Sequence, residues 1–250
     1  MKLSNQVFAN VHSIETFGAF DGPGIRYVLF LQGCPFQCQY CHNRDTWSTK
    51  QNKMMTVDDV LTDYETYRTF YKNGGLTVSG GEPLLQIHFL IELFKKAKEK
   101  GIHTCLDTSG GTYHAMHNDQ FIELMKYTDL ILLDIKQIND EKHLALTKNS
   151  NKHVLAFAQF LDQHQKKMVI RHVLVPTLTD DEKDLKNLRS FLDTLHYVVS
   201  IEVLPYHKAG ISKWKELGVK YELEHIEKPN LDIIKKAETI LKDKYHYHVK

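Results

Sequence analysis

Three cysteines set close together give this chain its clearest chemistry. Cys34, Cys38 and Cys41 fall within eight positions in Gly33-Cys34-Pro35-Phe36-Gln37-Cys38-Gln39-Tyr40-Cys41-His42-Asn43, a C-x3-C-x2-C pattern. Thiolates so close repel one another unless they share a cation, and soft sulfur donors favour zinc or an iron–sulfur cluster. Most iron–sulfur clusters take four cysteines. A cubane held by this loop alone would leave one iron without a protein ligand, and an open metal position is where a small molecule can coordinate and react. The alternative is a structural zinc knuckle built from Cys34, Cys38, Cys41 and His42, although zinc ligands usually come as separated pairs across a longer loop. The remaining cysteine, Cys105, sits in the apolar run Ile102–Asp107 and reads as a buried strand residue.

The elements that must position this loop follow from periodicity. Ile25–Gln32 is an apolar run, read as a buried strand leading into the cysteines. The alternating stretch Val7–Ile14 predicts a strand beside it, and Asp21-Gly22-Pro23-Gly24-Ile25-Arg26 predicts a turn into it. Residues 44–55 read as irregular. Thr56 can cap a helix with Asp59 three positions on, followed by Val60, Leu61, Tyr64, Tyr67 and Tyr71 at helical spacing. Strands are then expected at Leu76–Ser79, Ile102–Asp107, Leu130–Lys136, Met168–Val175 and Ile201–Leu204. Helices are expected near 86–100 (stopped by Gly101), 118–127, 139–148, 151–165, after Asp180 or Asp181, and 230–243, with 206–229 a loop. About six β/α units in regular alternation predict a parallel sheet with helices outside: an α/β fold, a partial and open (β/α)6-type TIM barrel. No linker divides the chain, so residues 1–250 read as a single domain, closed by the helix and tail 230–250.

Polar residues interrupt the apolar runs mainly at the C-terminal ends of the strands, where such barrels keep their chemistry. Gly80-Gly81-Glu82 follows the second barrel strand, Asp107-Thr108 the third, Asp134-Ile135-Lys136 the fourth and Tyr206-His207 the sixth. Unpaired charges at the edge of a buried run are costly, so their recurrence at one rim predicts a shared polar ligand. Asp134 and Lys136 are two apart on a strand and face the same side. Arg171, inside the fifth strand's apolar run, needs a partner, for which Asp21 and an incoming peptide are the candidates.

The cysteine spacing, with Pro35 after the first cysteine and Tyr40 before the third, resembles the signature of the radical S-adenosylmethionine (SAM) enzymes. Gly80-Gly81-Glu82-Pro83 resembles that superfamily's second motif. The Asp21–Arg26 turn, Tyr40–Trp47, Gly101–Thr108 and Leu204-Pro205-Tyr206-His207 are similar to the activating enzymes of glycyl radical enzymes, and within them to those that act on pyruvate formate-lyase. Relatives with an inserted ferredoxin-like domain carry further cysteine clusters, which four cysteines cannot supply. The resemblance implies a 4Fe-4S cluster on Cys34, Cys38 and Cys41, with SAM at the open iron. It implies SAM contacts from Tyr40, His42, Asn43, Gly80, Gly81, Glu82, Asp134, Ile135, Lys136 and His207. It also implies a monovalent cation (Na+ or K+) at Asp107, Thr108 and Asp134, and contacts to the substrate peptide from Asp21 and Arg171. The implied reaction reductively cleaves SAM to a 5′-deoxyadenosyl radical, which takes a hydrogen atom from a glycine Cα of the partner and leaves a glycyl radical. The implied partners are pyruvate formate-lyase and a flavodoxin or ferredoxin as electron donor. A radical SAM enzyme acting on a small molecule or nucleotide, and a non-enzymatic electron-transfer or metal-binding module, are the competing readings.

Composition agrees with this and excludes other classes. Thirty-two basic against 31 acidic residues, a net charge of +1, give no argument for nucleic acid. No charged-then-apolar leader and no membrane-length apolar run are visible, so a cytoplasmic, reducing location and a monomer are expected. The histidine runs at 114–117 and 246–248 read as solvated surface. Replacing Cys38 by Ala is expected to abolish cluster assembly and activation together; retention of either, measured by iron content and product radical, would remove Cys38 from the ligand set.

Overall fold

In the computed structural model, described for residues 6–242, eight strands form one sheet in the order β3-β1-β2-β4-β5-β6-β7-β8. The strands are β1 (Phe8–Gly18), β2 (Arg26–Leu31), β3 (Lys53–Thr56), β4 (Gly75–Gly80), β5 (Thr104–Thr108), β6 (Leu130–Asp134), β7 (Met168–Leu174) and β8 (Val198–Pro205). From β2 to β8 every pairing is parallel, while β1 runs antiparallel to both β2 and β3. The six parallel strands are the expected open barrel, and the stretch expected at Val7–Ile14 lies, from Phe8 on, within a strand beside its first. The helices are α1 (Val57–Tyr67), α2 (Ile87–Glu99), α3 (Asn118–Lys126), α4 (Asp140–Thr147), α5 (Lys152–Gln163), α6 (Glu182–Leu192), α7 (Ile211–Glu216) and α8 (Leu231–Lys242). None of the described helices is long and apolar enough to cross a membrane.

Strand alternation divides the sheet into two faces. One face, including Leu76, Val78, Leu106, Ile131, Leu133 and Ile170, joins Leu90, Leu93, Phe94, Phe157 and Leu161 of the helices in the main core. The other faces the barrel lumen, where Cys105, Leu130, Leu132 and Val169 form a small apolar cluster. Two residues further along the same strands the lumen face turns polar: Ser79 on β4, Asp107 on β5, Asp134 on β6 and Arg171 on β7. Cys105 is fully buried on this floor, in keeping with its structural reading.

Three segments depart from the sequence reading. Residues 44–55 are not irregular throughout, because β3 pairs with β1 from Phe8↔Thr56 to Val11↔Lys53. That strand is short, and Met54 faces outward beside buried Met55, so no alternation marks it. Tyr71 lies beyond α1, which ends at Tyr67 in a 3-10 turn; its ring is nevertheless buried, 4.9 Å from that of Tyr64. The 206–229 segment contains α7 and a second hydrophobic core of Tyr206, Trp214, Tyr221 and Leu223 against Tyr40. His246 and His248 lie outside the described residues.

Helix α1 starts in the capping box expected from Thr56 and Asp59. Asp59 N–H donates to Thr56 Oγ1 at 3.1 Å, and the Asp59 carboxylate accepts from Thr56 N–H at 2.8 Å. Replacing Thr56 by Ala should cost about 1 kcal/mol and lower Tm by about 2–4 °C, a shift that thermal denaturation followed by circular dichroism resolves.

Candidate active site

The cysteine loop has no regular structure of its own, so its main chain is paired by its neighbours. Gly33 N–H donates to the Thr46 carbonyl, and the Gly33 carbonyl accepts from Glu82 N–H, both at 2.8 Å. Gln37 and Gln39 N–H donate to the carbonyls of Thr147 and Leu146 at the end of α4. The Pro35 carbonyl accepts from Asn149 Nδ2 at 2.9 Å, and the Cys41 carbonyl from Trp214 Nε1 at 2.8 Å. Gly80 and Gly81, expected to let a ligand approach their backbone, first let protein approach. A Cβ on Gly80, whose φ is +125°, would collide with the Leu31 main chain, and one on Gly81 with the Gly33 carbonyl.

All the expected site residues except Glu82 and Ile135 line one cavity of about 580 Å³ at the C-terminal rim of the barrel. Cys34, Cys38 and Cys41 stand on one wall with Tyr40, His42 and Asn43; Gly80 and Gly81, Asp107 and Thr108, Asp134 and Lys136, Arg171, His207 and Asp21 complete it. Burial pushes the Cys38 thiol up to about 12 and the Cys34 thiol up as well. Neither ionises in this setting without a metal to share its charge. The Tyr40 hydroxyl is buried and has no hydrogen-bond partner among the described residues, an acceptor and donor left over for a ligand. A trio of thiols, one buried and two half-buried, with an orphaned hydroxyl and a polar rim, fits a cluster with a polar small molecule beside it.

Glu82 points away from the cavity. Its carboxylate accepts from Thr108 Oγ1 and Ser109 Oγ, both at 2.5 Å, and from the N–H groups of Ser109 and Leu84. Burial raises its pKa, and the hydrogen bonds from Ser109 and Thr108 oppose that rise. Only the main chain of this motif can reach a ligand. Ile135 is fully buried, with its N–H on the Arg171 carbonyl and its carbonyl accepting from His172 Nδ1, so it stands behind the cavity wall.

The charged rim is already paired. Lys136 Nζ stands 2.8 Å from Asp134 Oδ2, the same-side arrangement expected, and 5.9 Å from the centre of the Tyr40 ring. Arg171 does not pair with Asp21 as first expected. Its Nη1 stands 3.2 Å from Asp107 Oδ2 and its Nε 3.4 Å from Glu202 Oε2, because parallel register sets it level with Asp134 and Glu202. Burial works against ionisation of both rim aspartates. At Asp134 the Lys136 and Arg171 charges outweigh it and hold the pKa below the usual range; at Asp107 burial and the Asp134 charge prevail over Arg171 and hold it above. Burial likewise raises Asp21, helped by the Asp107 charge.

His42 is committed elsewhere than to a zinc ion. Its Nε2 donates to the His207 carbonyl at 3.0 Å, and the two rings lie 4.4 Å apart. Among the described residues no three His, Cys, Asp or Glu side chains converge on a point that would hold a single ion. His114 and His117, 6.3 Å apart between ring centres, are exposed and take no part in the cavity. Missed from the sequence were apolar walls such as Phe30, Phe36, Val173 and Leu204. Phe30 could have been found, since it shares the lumen face with Val28, but Phe36 and Trp47 belong to irregular segments without periodicity.

Residues 20–155 match the family model described as a 4Fe-4S single cluster domain, more than half of the chain. The fold matches a radical SAM methyltransferase from Sphaerobacter thermophilus with a TM-score of 0.63 at 14% identity, covering 87% of this chain and 64% of that one. Sheet, cysteine loop and family model together define an enzyme of the radical SAM class. The chain is 49% identical over 242 residues to a pyruvate formate-lyase-activating enzyme of Listeria monocytogenes, 94% of this chain and 97% of the relative. It is 48% identical to one of Staphylococcus epidermidis, covering 91% of this chain and 93% of the relative. A solved domain of such an enzyme from Bacteroides vulgatus matches with a TM-score of 0.57 at 27% identity, over 68% of this chain and 94% of that chain. The chain belongs to the pyruvate formate-lyase-activating enzyme family.

Replacing Gly81 by Ala forces the Gly33 carbonyl aside and should cost about 1–3 kcal/mol. Iron and sulfide bound after anaerobic reconstitution should fall with it. A variant that melts and loads iron like the native chain overturns the interlock of the two loops.

Proposed function

We propose that this chain installs a glycyl radical on pyruvate formate-lyase, with residues 1–250 acting as one catalytic unit. The observation that carries the reading is the convergence of three cysteine thiols and a charged rim on one cavity, in a chain of this family. In this reading Cys34, Cys38 and Cys41 hold a 4Fe-4S cluster. The cluster and SAM, when bound, supply one-electron cleavage of the sulfonium and a 5′-deoxyadenosyl radical able to take hydrogen from a glycine Cα. The chain's own residues bind, orient and exclude water.

The Gly80-Gly81 main chain receives the amino group of SAM, and Lys136 its carboxylate or ribose. His207, its ring 4.4 Å from that of His42 and tilted to it, stands for the adenine and ribose side, and Tyr40 and Asn43 close that wall. Lys213 Nζ holds Asn43 Oδ1 at 2.9 Å and so orients it. A monovalent cation at Asp107, Thr108 and Asp134 would offset two carboxylates and release Lys136 and Arg171 from them. The Thr108 hydroxyl donates to Glu82 and accepts from Gly110 N–H, which leaves its main-chain carbonyl as the natural ligand. Arg171 and Asp21 then face the substrate peptide. A flavodoxin or ferredoxin is the electron donor in this scheme, and the enzyme works as a cytoplasmic monomer.

The test is reconstitution without oxygen, reduction, addition of SAM and pyruvate formate-lyase, and EPR. A glycyl-radical doublet with matching 5′-deoxyadenosine is expected. A cluster signal that shifts with SAM but yields no doublet would keep the chemistry and overturn the partner; neither signal from an intact cluster would overturn both.

A further inference from the structure

Arg26 is fully buried, yet none of the described carboxylates forms an ion pair with it. Its hydrogen bonds go to neutral acceptors or a histidine ring. Nε donates to Thr77 Oγ1 at 2.5 Å, Nη1 to the Pro23 carbonyl at 3.1 Å, and Nη2 to the carbonyls of Leu76 and His103. Burying a guanidinium without a counter-ion costs several kcal/mol, and an apolar side chain of similar length would fill the space at less expense. What the guanidinium does there and an apolar chain could not is hold carbonyls.

One of those bonds ends on the Asp21–Ile25 turn and another reaches it through the Thr77 hydroxyl. The Thr77 hydroxyl that accepts from Arg26 donates in turn to the Asp21 carbonyl at 2.7 Å, and Pro23 is held directly. Glycines fit the turn onto this support. Gly22 has φ +119°, and a Cβ there would stand 3.1 Å from Arg26 Cδ and 3.4 Å from Cys105 Sγ. Gly24 has φ +70°, and a Cβ would collide with the Asn73 carbonyl. The turn therefore rests inside the lumen, on the guanidinium. It carries Asp21 on the cavity wall and Phe20 beside it, 86% exposed, with its carbonyl 3.4 Å from Arg171 Nη2.

We infer that Arg26 and Thr77 are positioning residues for the protein substrate. They lock the Asp21 turn so that Asp21 and the apolar face of Phe20 meet an extended glycine-containing segment of the partner, while contributing nothing to SAM. The inference rests on the proposed role of Asp21 in receiving that segment.

The experiment compares Thr77→Val, Thr77→Ser and Arg26→Lys with the native chain, each as the reconstituted holoenzyme acting on pyruvate formate-lyase. Thr77→Val and Arg26→Lys should raise KM for the protein substrate about tenfold, with kcat within about twofold, the size expected for one lost buried hydrogen bond. The SAM concentration that half-shifts the cluster EPR signal should stay unchanged. Thr77→Ser keeps the hydroxyl and should restore KM. A native KM in both Thr77→Val and Arg26→Lys, a parallel loss of SAM affinity, or a Ser variant as impaired as Val would overturn the inference. If Thr77→Val does not fold, Thr77→Ser and Arg26→Lys carry the same comparison. Asp21→Asn separates the two levels. If it raises KM while Thr77→Val and Arg26→Lys do not, the reading of Asp21 stands and this inference falls; if it leaves KM unchanged, the reading of Asp21 falls and takes the inference with it.

Discussion

The cysteine loop must pair its own main chain, and most of the site follows from that need. Eleven irregular residues, 33–43, rim a cavity and expose donors and acceptors that neither helix nor sheet can satisfy, and buried groups left unpaired are costly. The bonds that satisfy them come from four directions: the Gly81–Glu82 turn, the residues after the loop at 46–47, the end of α4, and Trp214 on α7. Each of these segments is thereby fixed against the thiols. The glycine pair after β4 is small because the loop lies against it, and the Glu82 carboxylate is buried because it ties that same turn to the end of β5. Ligand binding and loop support draw on the same backbone.

The second constraint is charge. Four ionisable groups of opposite sign, Asp107, Asp134, Lys136 and Arg171, share the polar end of the lumen. Parallel register makes their order along the sheet unavoidable: Asp134 lies level with Arg171, and Arg171 with Glu202. Without ligand the rim is self-neutralised, with each cation held by a carboxylate. A ligand carboxylate entering the cavity must compete with Asp134 for Lys136 or bring a cation of its own. A rim of this kind can bind a zwitterion tightly only by exchanging partners, which favours a ligand carrying both signs over a simple anion.

Much of this was legible from the chain. The six parallel strands, their polar C-terminal ends and the α1 capping box follow from periodicity and short-range hydrogen bonding, which act within a few residues and leave a pattern. Same-side placement of Asp134 and Lys136 follows from strand geometry alone. Of the two partners the sequence offers Arg171, Asp21 is displaced by Asp107 and Glu202, because the partner depends on which strands are neighbours and in what register, and Asp21 is only one of several carboxylates near enough to compete. Glu82 and Ile135 sit inside motifs whose other residues line the cavity, and only packing reveals that one side chain faces inward and the other residue lies behind the wall. Strand β3 and helix α7 escape a sequence reading because segments of four and six residues span no more than about two repeats of the periods that would identify them.

The miss at 206–229 matters most, because that segment joins two halves of the site. Gly210 approaches so closely that a Cβ would stand 2.7 Å from His42 Cα. Trp214 donates to the Cys41 carbonyl while its ring lies edge-on to Trp47, and Arg44 stacks 3.9 Å above the Trp47 ring. Tyr206 bonds Tyr221 at 2.9 Å, closing the segment on itself. His207, one residue along, packs its ring at a tilt against that of His42, the residue after the third cysteine. A shift of this strap therefore moves the cluster loop and the His207 wall together. Both walls of the cavity are set by one hydrophobic core, and a substitution deep in that core reaches the thiols without touching them.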